Sequence, residues 1–69
     1  MINREYVKNV IHDITKERSI ISGCKKIQEL YGIPYYILYN FTRNSLPGEY
    51  NLLKIIKSLN LDLSQLFLL

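Results

Sequence analysis

The sequence predicts an all-α chain that folds as one compact domain of five helices over residues 1–69. Apolar residues recur three and four positions apart in successive segments, which is the spacing of amphipathic helices. Turn-forming residues separate these segments, and no run alternates apolar and polar residues for long enough to indicate a strand. With 69 residues, 48% of them hydrophobic, the chain has the length of one domain and enough apolar residues to fold.

The first predicted helix runs from Asn3 to Arg18. Its apolar stripe consists of Val7, Val10, Ile11 and Ile14, at positions i, i+3, i+4 and i+7. Arg4 falls on the opposite, polar face. Asn3 is the predicted N-cap, because its side-chain oxygen can accept a hydrogen bond from a free N–H of the first turn.

The second predicted helix follows a break at residues 19–23, with Ser22 or Gly23 as its N-cap. Its inward positions are Cys24, Ile27 and Tyr31. The helix is expected to end at Gly32, because glycine readily takes the left-handed conformation that closes many helices.

The third predicted helix covers about residues 34–43, with Pro34 in its first turn, where a missing N–H breaks no helical hydrogen bond. Its inward stripe consists of Pro34, Ile37, Leu38 and Phe41. The opposite face, called the tyrosine face below, consists of Tyr35, Tyr36, Tyr39, Asn40 and Arg43. Exposed clusters of aromatic residues usually mark a binding surface, so this face is the candidate functional site.

The fourth predicted helix extends from about Glu49 to Leu59, and Asn60 ends it. Its inward stripe is read as Leu52, Leu53, Ile56 and Leu59, with Lys54 and Lys57 outside. Asp62 or Ser64 would cap a short fifth helix, with Leu63, Leu66 and Phe67 in the core.

Two stretches carry a resemblance to a known family. Residues 30–34 read Leu-Tyr-Gly-Ile-Pro, and residues 52–67 combine a Leu-Leu helix, a short break and a Leu-x-x-Leu-Phe turn of helix. Both resemble the lambda-repressor-like, or Cro-type, helix-turn-helix proteins of phages and bacteria. The resemblance runs from about residue 27 to residue 67, and it implies a compact five-helix domain whose third helix reads DNA.

In that resemblance Gly32 corresponds to the turn glycine of the family and Ile33 to the apolar residue after it, while Leu38 and Phe41 fall at buried positions. The positions that would face DNA are Tyr35, Tyr36, Tyr39 and Asn40. Arg43 falls near the end of the reading helix, where contact with phosphate is common. The chain departs from the family pattern at Gln28, where a small residue is usual, and at Pro34, where a capping Ser or Thr is usual.

The resemblance implies double-stranded operator DNA as the partner, with the chain acting as a transcriptional repressor. Lys25 and Lys26 open the second helix, where they would either contact phosphate or lie on a solvated helix start. A net charge of +3 suits a polyanionic partner without requiring one. The alternative is a helix-turn-helix-derived module, such as an antirepressor or inhibitor, that binds another protein through the tyrosine face.

The end of the chain, residues 61–69, holds more apolar residues than one short helix can bury. Leu66, Leu68 and Leu69 are therefore predicted to contribute to a homodimer contact, with a frayed tail as the alternative. A dimer would match the two half-sites, about 34–36 Å apart, that such proteins read.

Composition also excludes several classes of protein. One cysteine, Cys24, and one histidine, His12, cannot form an internal disulfide or a zinc site with several Cys or His ligands. No phosphate-binding loop or pair of catalytic carboxylates is evident, so neither an enzyme nor a cofactor is expected. The sequence has no apolar run of membrane-spanning length and no signal peptide, which together with the lone thiol favours a cytoplasmic location.

Overall fold

The computed structural model describes residues 1–68, and within them the ordered elements are five α-helices and one isolated β-bridge. The helices are α1 (Arg4–Thr15), α2 (Ile20–Tyr31), α3 (Tyr35–Arg43), α4 (Glu49–Ser58) and α5 (Leu63–Leu66). They pack into a body of 30 × 23 × 20 Å. The predicted all-α class and the number of helices are confirmed.

The starts of the helices follow from hydrogen bonds at their caps. The Asn3 side chain accepts from the N–H of Tyr6 at 3.1 Å, as predicted for the N-cap of α1. Ser19 accepts from the N–H of Ser22 at 3.0 Å, so α2 begins at Ile20 and the expected cap at Ser22 or Gly23 is wrong. The Asp62 side chain caps α5 by accepting from the N–H of Ser64 at 2.9 Å.

The ends of α1 and α2 both use a left-handed residue. Gly32 closes α2 with φ of 74°, as predicted. Lys16 closes α1 with φ of 60°, so this helix ends at Thr15 and not at Arg18. Pro34 takes the N-cap position of α3, one residue before the helix that it was expected to begin.

One hydrophobic core lies between the helices. Its buried members are Val7, Ile11, Cys24, Ile27, Ile33, Leu38, Phe41, Ile55, Leu59, Leu61 and Leu66. Helices α1 and α2 approach closely at Gly23, where an added Cβ would lie 2.8 Å from Cγ2 of Ile11. Glycine at this position therefore allows the two helices to pack directly on each other.

Four predicted core positions are wrong, and one of them is Ile14, the last residue of the predicted α1 stripe, which is 37% exposed. Leu53 is 53% exposed, because α4 turns Ile55 inward instead. Leu63 and Tyr31 are also exposed. In α2 and α5 the other predicted core residues are buried, so only the outer members of the predicted stripes are exposed.

The C-terminal residues pair with the start of the chain. Ile2 and Phe67 form an antiparallel bridge, in which the N–H of Asn3 donates to the carbonyl of Leu66 at 2.8 Å. The Leu66 side chain is fully buried, so its predicted role in a dimer contact is wrong: it offers no surface to a second chain. Leu68 is 45% exposed, and Leu69 lies outside the described residues.

None of the five helices is both long enough and apolar enough to cross a bilayer, a finding that concerns residues 1–68.

Candidate nucleic-acid interface

The two faces of α3 divide almost as the sequence predicts. Leu38, Phe41 and the neighbouring Thr42 are buried on the inner face. Tyr36 is 57% exposed on the outer face. Three further members of the tyrosine face are also exposed: Tyr35, Asn40 and Arg43.

Tyr39 is the exception, because its ring packs against the hydrophobic core and the residue is only partly exposed. The prediction that it stands clear of the core is therefore wrong. Its hydroxyl nevertheless reaches the surface, where it accepts a hydrogen bond from Nη1 of Arg43 at 3.0 Å. The Arg43 guanidinium carbon lies 5.5 Å from the centroid of the Tyr39 ring, within the range of a cation–π contact.

The start of α3 is held by a side chain from α2. Pro34 offers no capping side chain, and the N–H of Tyr35 donates instead to Oε1 of Gln28 at 2.9 Å. Gln28 thus takes over the function of the capping Ser or Thr that the sequence lacks at Pro34. The two departures from the family pattern, at Gln28 and Pro34, are thus related by one hydrogen bond, which joins residues seven positions apart.

Lys25 adds a positive charge beside this capped helix start. Its Nζ lies 5.2 Å from the centroid of the Tyr35 ring, and the Tyr35 and Tyr36 rings meet edge to face with 6.0 Å between centroids. Lys25, Gln28, Glu29 and Tyr35 line a shallow depression of about 400 Å³. The α2 end of the tyrosine face therefore combines an ammonium group, an amide and aromatic rings with one carboxylate.

The end of α3 is anchored from α1. Nη1 of Arg4 donates to the backbone carbonyls of Phe41 and Ser45, at 2.6 and 2.9 Å. This residue was expected only on the polar face of the first helix. The contact was missed because it joins residues 37 and 41 positions apart, a separation that periodicity does not address.

Asn40 and Lys26 complete the predicted site residues. Both are exposed, and neither side chain forms a hydrogen bond or ion pair with another described residue. Asn40 lies one helical turn after Tyr36, on the tyrosine face. Lys26 lies on α2, next to Lys25 in the sequence.

Two titratable groups outside the tyrosine face have shifted pKa values within residues 1–68. Burial raises the pKa of the Cys24 thiol to about 11, which keeps it protonated at neutral pH. Hydrogen bonds from Ser64 lower the pKa of the exposed Asp62 carboxyl. No three His, Cys, Asp or Glu side chains within residues 1–68 are grouped as a metal site would require.

A second concavity lies between α1 and the start of α2, with a volume of about 360 Å³. Its lining includes the apolar residues Ile11 and Ile20 and the charged residues Lys8, Glu17 and Arg18. It shares no lining residue with the tyrosine face.

Comparison with known proteins finds no matching family model, no matching curated protein and no matching solved structure.

Proposed function

We propose that this chain is a lambda-repressor-like helix-turn-helix domain that binds operator DNA as a homodimer and acts as a transcriptional regulator, most simply a repressor. The observation that carries the proposal is the two-sided character of α3. Leu38 and Phe41 pack inward, while Tyr36, Asn40 and Arg43 remain available to a ligand. A short turn at Gly32 connects this helix to α2, as a helix-turn-helix unit requires.

The side chains of the tyrosine face suit the chemistry of the major groove. An asparagine amide can pair bidentately with N6 and N7 of adenine, and a tyrosine hydroxyl can donate to phosphate or base acceptors. The Asn40 side-chain amide has no hydrogen-bond partner among the described residues that would compete with such a contact. Repression would then follow from occlusion, because a domain seated in the groove blocks polymerase or a competing regulator.

The basic residues would hold the DNA backbone. Lys25 lies beside Tyr35 at the start of α3, and Lys26 is exposed on the same helix as Lys25. Three to five phosphate contacts per monomer would contribute roughly −3 to −5 per monomer to the slope of log K against log salt concentration, so a dimer would show about twice that slope. A net charge of only +3 per chain favours the lower end of this range.

Dimerisation would bring two copies of α3 to successive turns of the groove, about 34–36 Å apart. With Leu66 in the core, the exposed apolar residues near the C-terminus that remain for such a contact within residues 1–68 are Leu63 and Leu68. Light scattering on the purified protein measures the mass of the particle directly. A monomer at micromolar concentration, both free and bound to DNA, would remove dimerisation from the proposal.

Fluorescence titration of labelled duplexes from the region flanking the chain's own gene tests DNA binding. We expect one duplex to bind much more tightly than the others, and Asn40→Ala to weaken that binding without changing helicity. Lys57→Ala is the matched control, because it removes an exposed cation from α4. Equal binding to every duplex, or binding to none, would refute sequence-specific recognition.

A protein-binding module is the second candidate, and the composition of the face favours it. The tyrosine face carries three aromatic rings but only one cation of its own, and Glu29 places a carboxylate next to Tyr35. Interfaces between proteins are enriched in tyrosine and arginine. Failure to bind any duplex, together with a partner protein whose binding Tyr36→Ala abolishes, would support this candidate.

A further inference from the structure

Arg43 and Tyr39 form one unit on the surface of α3. Nη1 of Arg43 donates to the Tyr39 hydroxyl at 3.0 Å, and the guanidinium carbon lies 5.5 Å from the ring centroid. The two residues are one helical turn apart, so the arginine side chain folds back along the helix toward its N-terminus. The guanidinium therefore lies within the tyrosine face, although residue 43 ends α3.

Both members of this unit are held in place before any ligand arrives. The Tyr39 ring packs against the hydrophobic core, and the Tyr39 carbonyl accepts a hydrogen bond from the Thr42 hydroxyl at 2.6 Å. Arg4 anchors the next turn of α3 through the carbonyl of Phe41. A guanidinium placed on a fixed ring loses less conformational entropy on binding than a free arginine does.

The Arg43–Tyr39 unit presents hydrogen-bond donors, and no carboxylate among the described residues neutralises its positive charge. The Tyr39 oxygen accepts from Arg43, so its own O–H is directed away from the guanidinium as a donor. Arg43 keeps further N–H groups, and no carboxylate pairs with it within residues 1–68, where the one ion pair joins Glu5 and Lys8. A ligand group that suits this surface must offer two adjacent acceptors.

Guanine is the base that meets this requirement. Its major-groove edge carries the two acceptors O6 and N7, whereas adenine and cytosine each present an amino donor there and thymine presents a single acceptor beside a methyl group. We propose that the Arg43–Tyr39 unit reads a guanine at a fixed position of each half-site. Arg43 then contacts a base, whereas its place at the end of the helix had implied contact with phosphate. This inference rests on the proposed DNA-binding function.

Selection of duplexes from a randomised pool, followed by titration of the best sequence, tests the assignment. We expect an invariant guanine in each half-site, and replacing it with adenine or with 7-deazaguanine should weaken binding about tenfold to a hundredfold. Arg43→Lys keeps the charge but loses the planar fork, so it should reduce the preference for guanine at that position, and Arg43→Ala should abolish it. Tyr39→Phe removes the hydroxyl that holds the guanidinium, and it should reduce the preference while helicity stays unchanged.

Two results separate failure of this inference from failure of the proposed function. If Arg43→Lys leaves every base preference intact while Arg43→Ala weakens all duplexes equally, Arg43 contacts phosphate and the guanine assignment is wrong. If no duplex is enriched over the starting pool, DNA recognition itself fails and the assignment fails with it. Lys57→Met, which removes a cation from α4, is the control and should leave the selected sequence unchanged.

Discussion

The guanidinium of Arg4 donates a hydrogen bond to the backbone carbonyl of Phe41, with 2.6 Å between Nη1 and O, and so ties the start of α1 to the last turn of α3. The same nitrogen donates to the carbonyl of Ser45 at 2.9 Å. The last carbonyls of a helix lack partners within the helix. A cation at this position is also attracted to the negative end of the helix dipole, which stabilises the helix. Arg4 thus fixes the end of the helix that carries Asn40 and Arg43.

Replacing Arg4 with methionine should destabilise the fold. The change retains an apolar side chain but removes two charge-assisted hydrogen bonds, and we expect the free energy of unfolding to fall by about 1.5–3 kcal/mol. Urea denaturation followed by circular dichroism measures the difference. Lys8→Met is the matched control on α1, because it removes only a 3.9 Å ion pair with Glu5, which contributes about 0–1 kcal/mol. Equal losses in the two variants would contradict the anchoring role.

Replacing Gln28 should release the start of α3. Gln28→Leu removes the acceptor of the Tyr35 N–H, and Pro34 has no side-chain acceptor to replace it, so we expect a loss of about 0.5–2 kcal/mol in stability. Gln28→Glu retains an acceptor and places a negative charge at a helix N-terminus, so its stability should be close to that of the parent. Amide hydrogen exchange at Tyr35 reports the bond directly. Unchanged protection of that amide in Gln28→Leu would show that the cap is dispensable.

The outer face of α3 was predictable from the sequence because its two sides differ in composition. Leu38 and Phe41 lie on the only stripe that apolar residues fill, so Tyr36 and Asn40 had to lie opposite. The left-handed cap at Gly32 was equally local, because the conformational freedom of glycine suits that position.

Helix α4 shows where periodicity fails. Its Leu-Leu-Lys-Ile-Ile run contains two overlapping apolar stripes, and both satisfy the helical spacing. The structure buries Ile55 and exposes Leu53, and only the position of the neighbouring helices decides between the two. The contacts of Arg4 with Phe41 and of Gln28 with Tyr35 were missed for the same reason, because they exist only once the helices have packed.

Adding a methyl group at Gly23 should loosen the contact between α1 and α2. Alanine ordinarily stabilises a helix relative to glycine, by about 0.5–1 kcal/mol. Here the new Cβ would lie 2.8 Å from Cγ2 of Ile11 and 3.2 Å from Oγ1 of Thr15, and such overpacking costs about 1–3 kcal/mol. We therefore expect Gly23→Ala to lower the melting temperature, whereas Lys26→Ala, an exposed substitution on the same helix, should not. A rise in melting temperature for Gly23→Ala would show that the helices are less closely packed.

Cys24 should make the fold sensitive to alkaline pH. The thiol is fully buried, and its pKa is raised from 9.0 to about 11. As the pH rises, the thiol ionises in the unfolded chain before it does so in the folded one, which favours unfolding. The contribution of the protonated thiol to stability is therefore complete below pH 9 and is lost progressively up to about pH 11. A pKa difference of about 2 corresponds to roughly 2.7 kcal/mol, an upper limit for the loss. The decisive measurement compares urea denaturation of the parent and Cys24→Ala at several pH values. The variant should start less stable, since it leaves a small cavity, but lose less stability as pH rises. Parallel curves would mean that the thiolate is tolerated in the folded core.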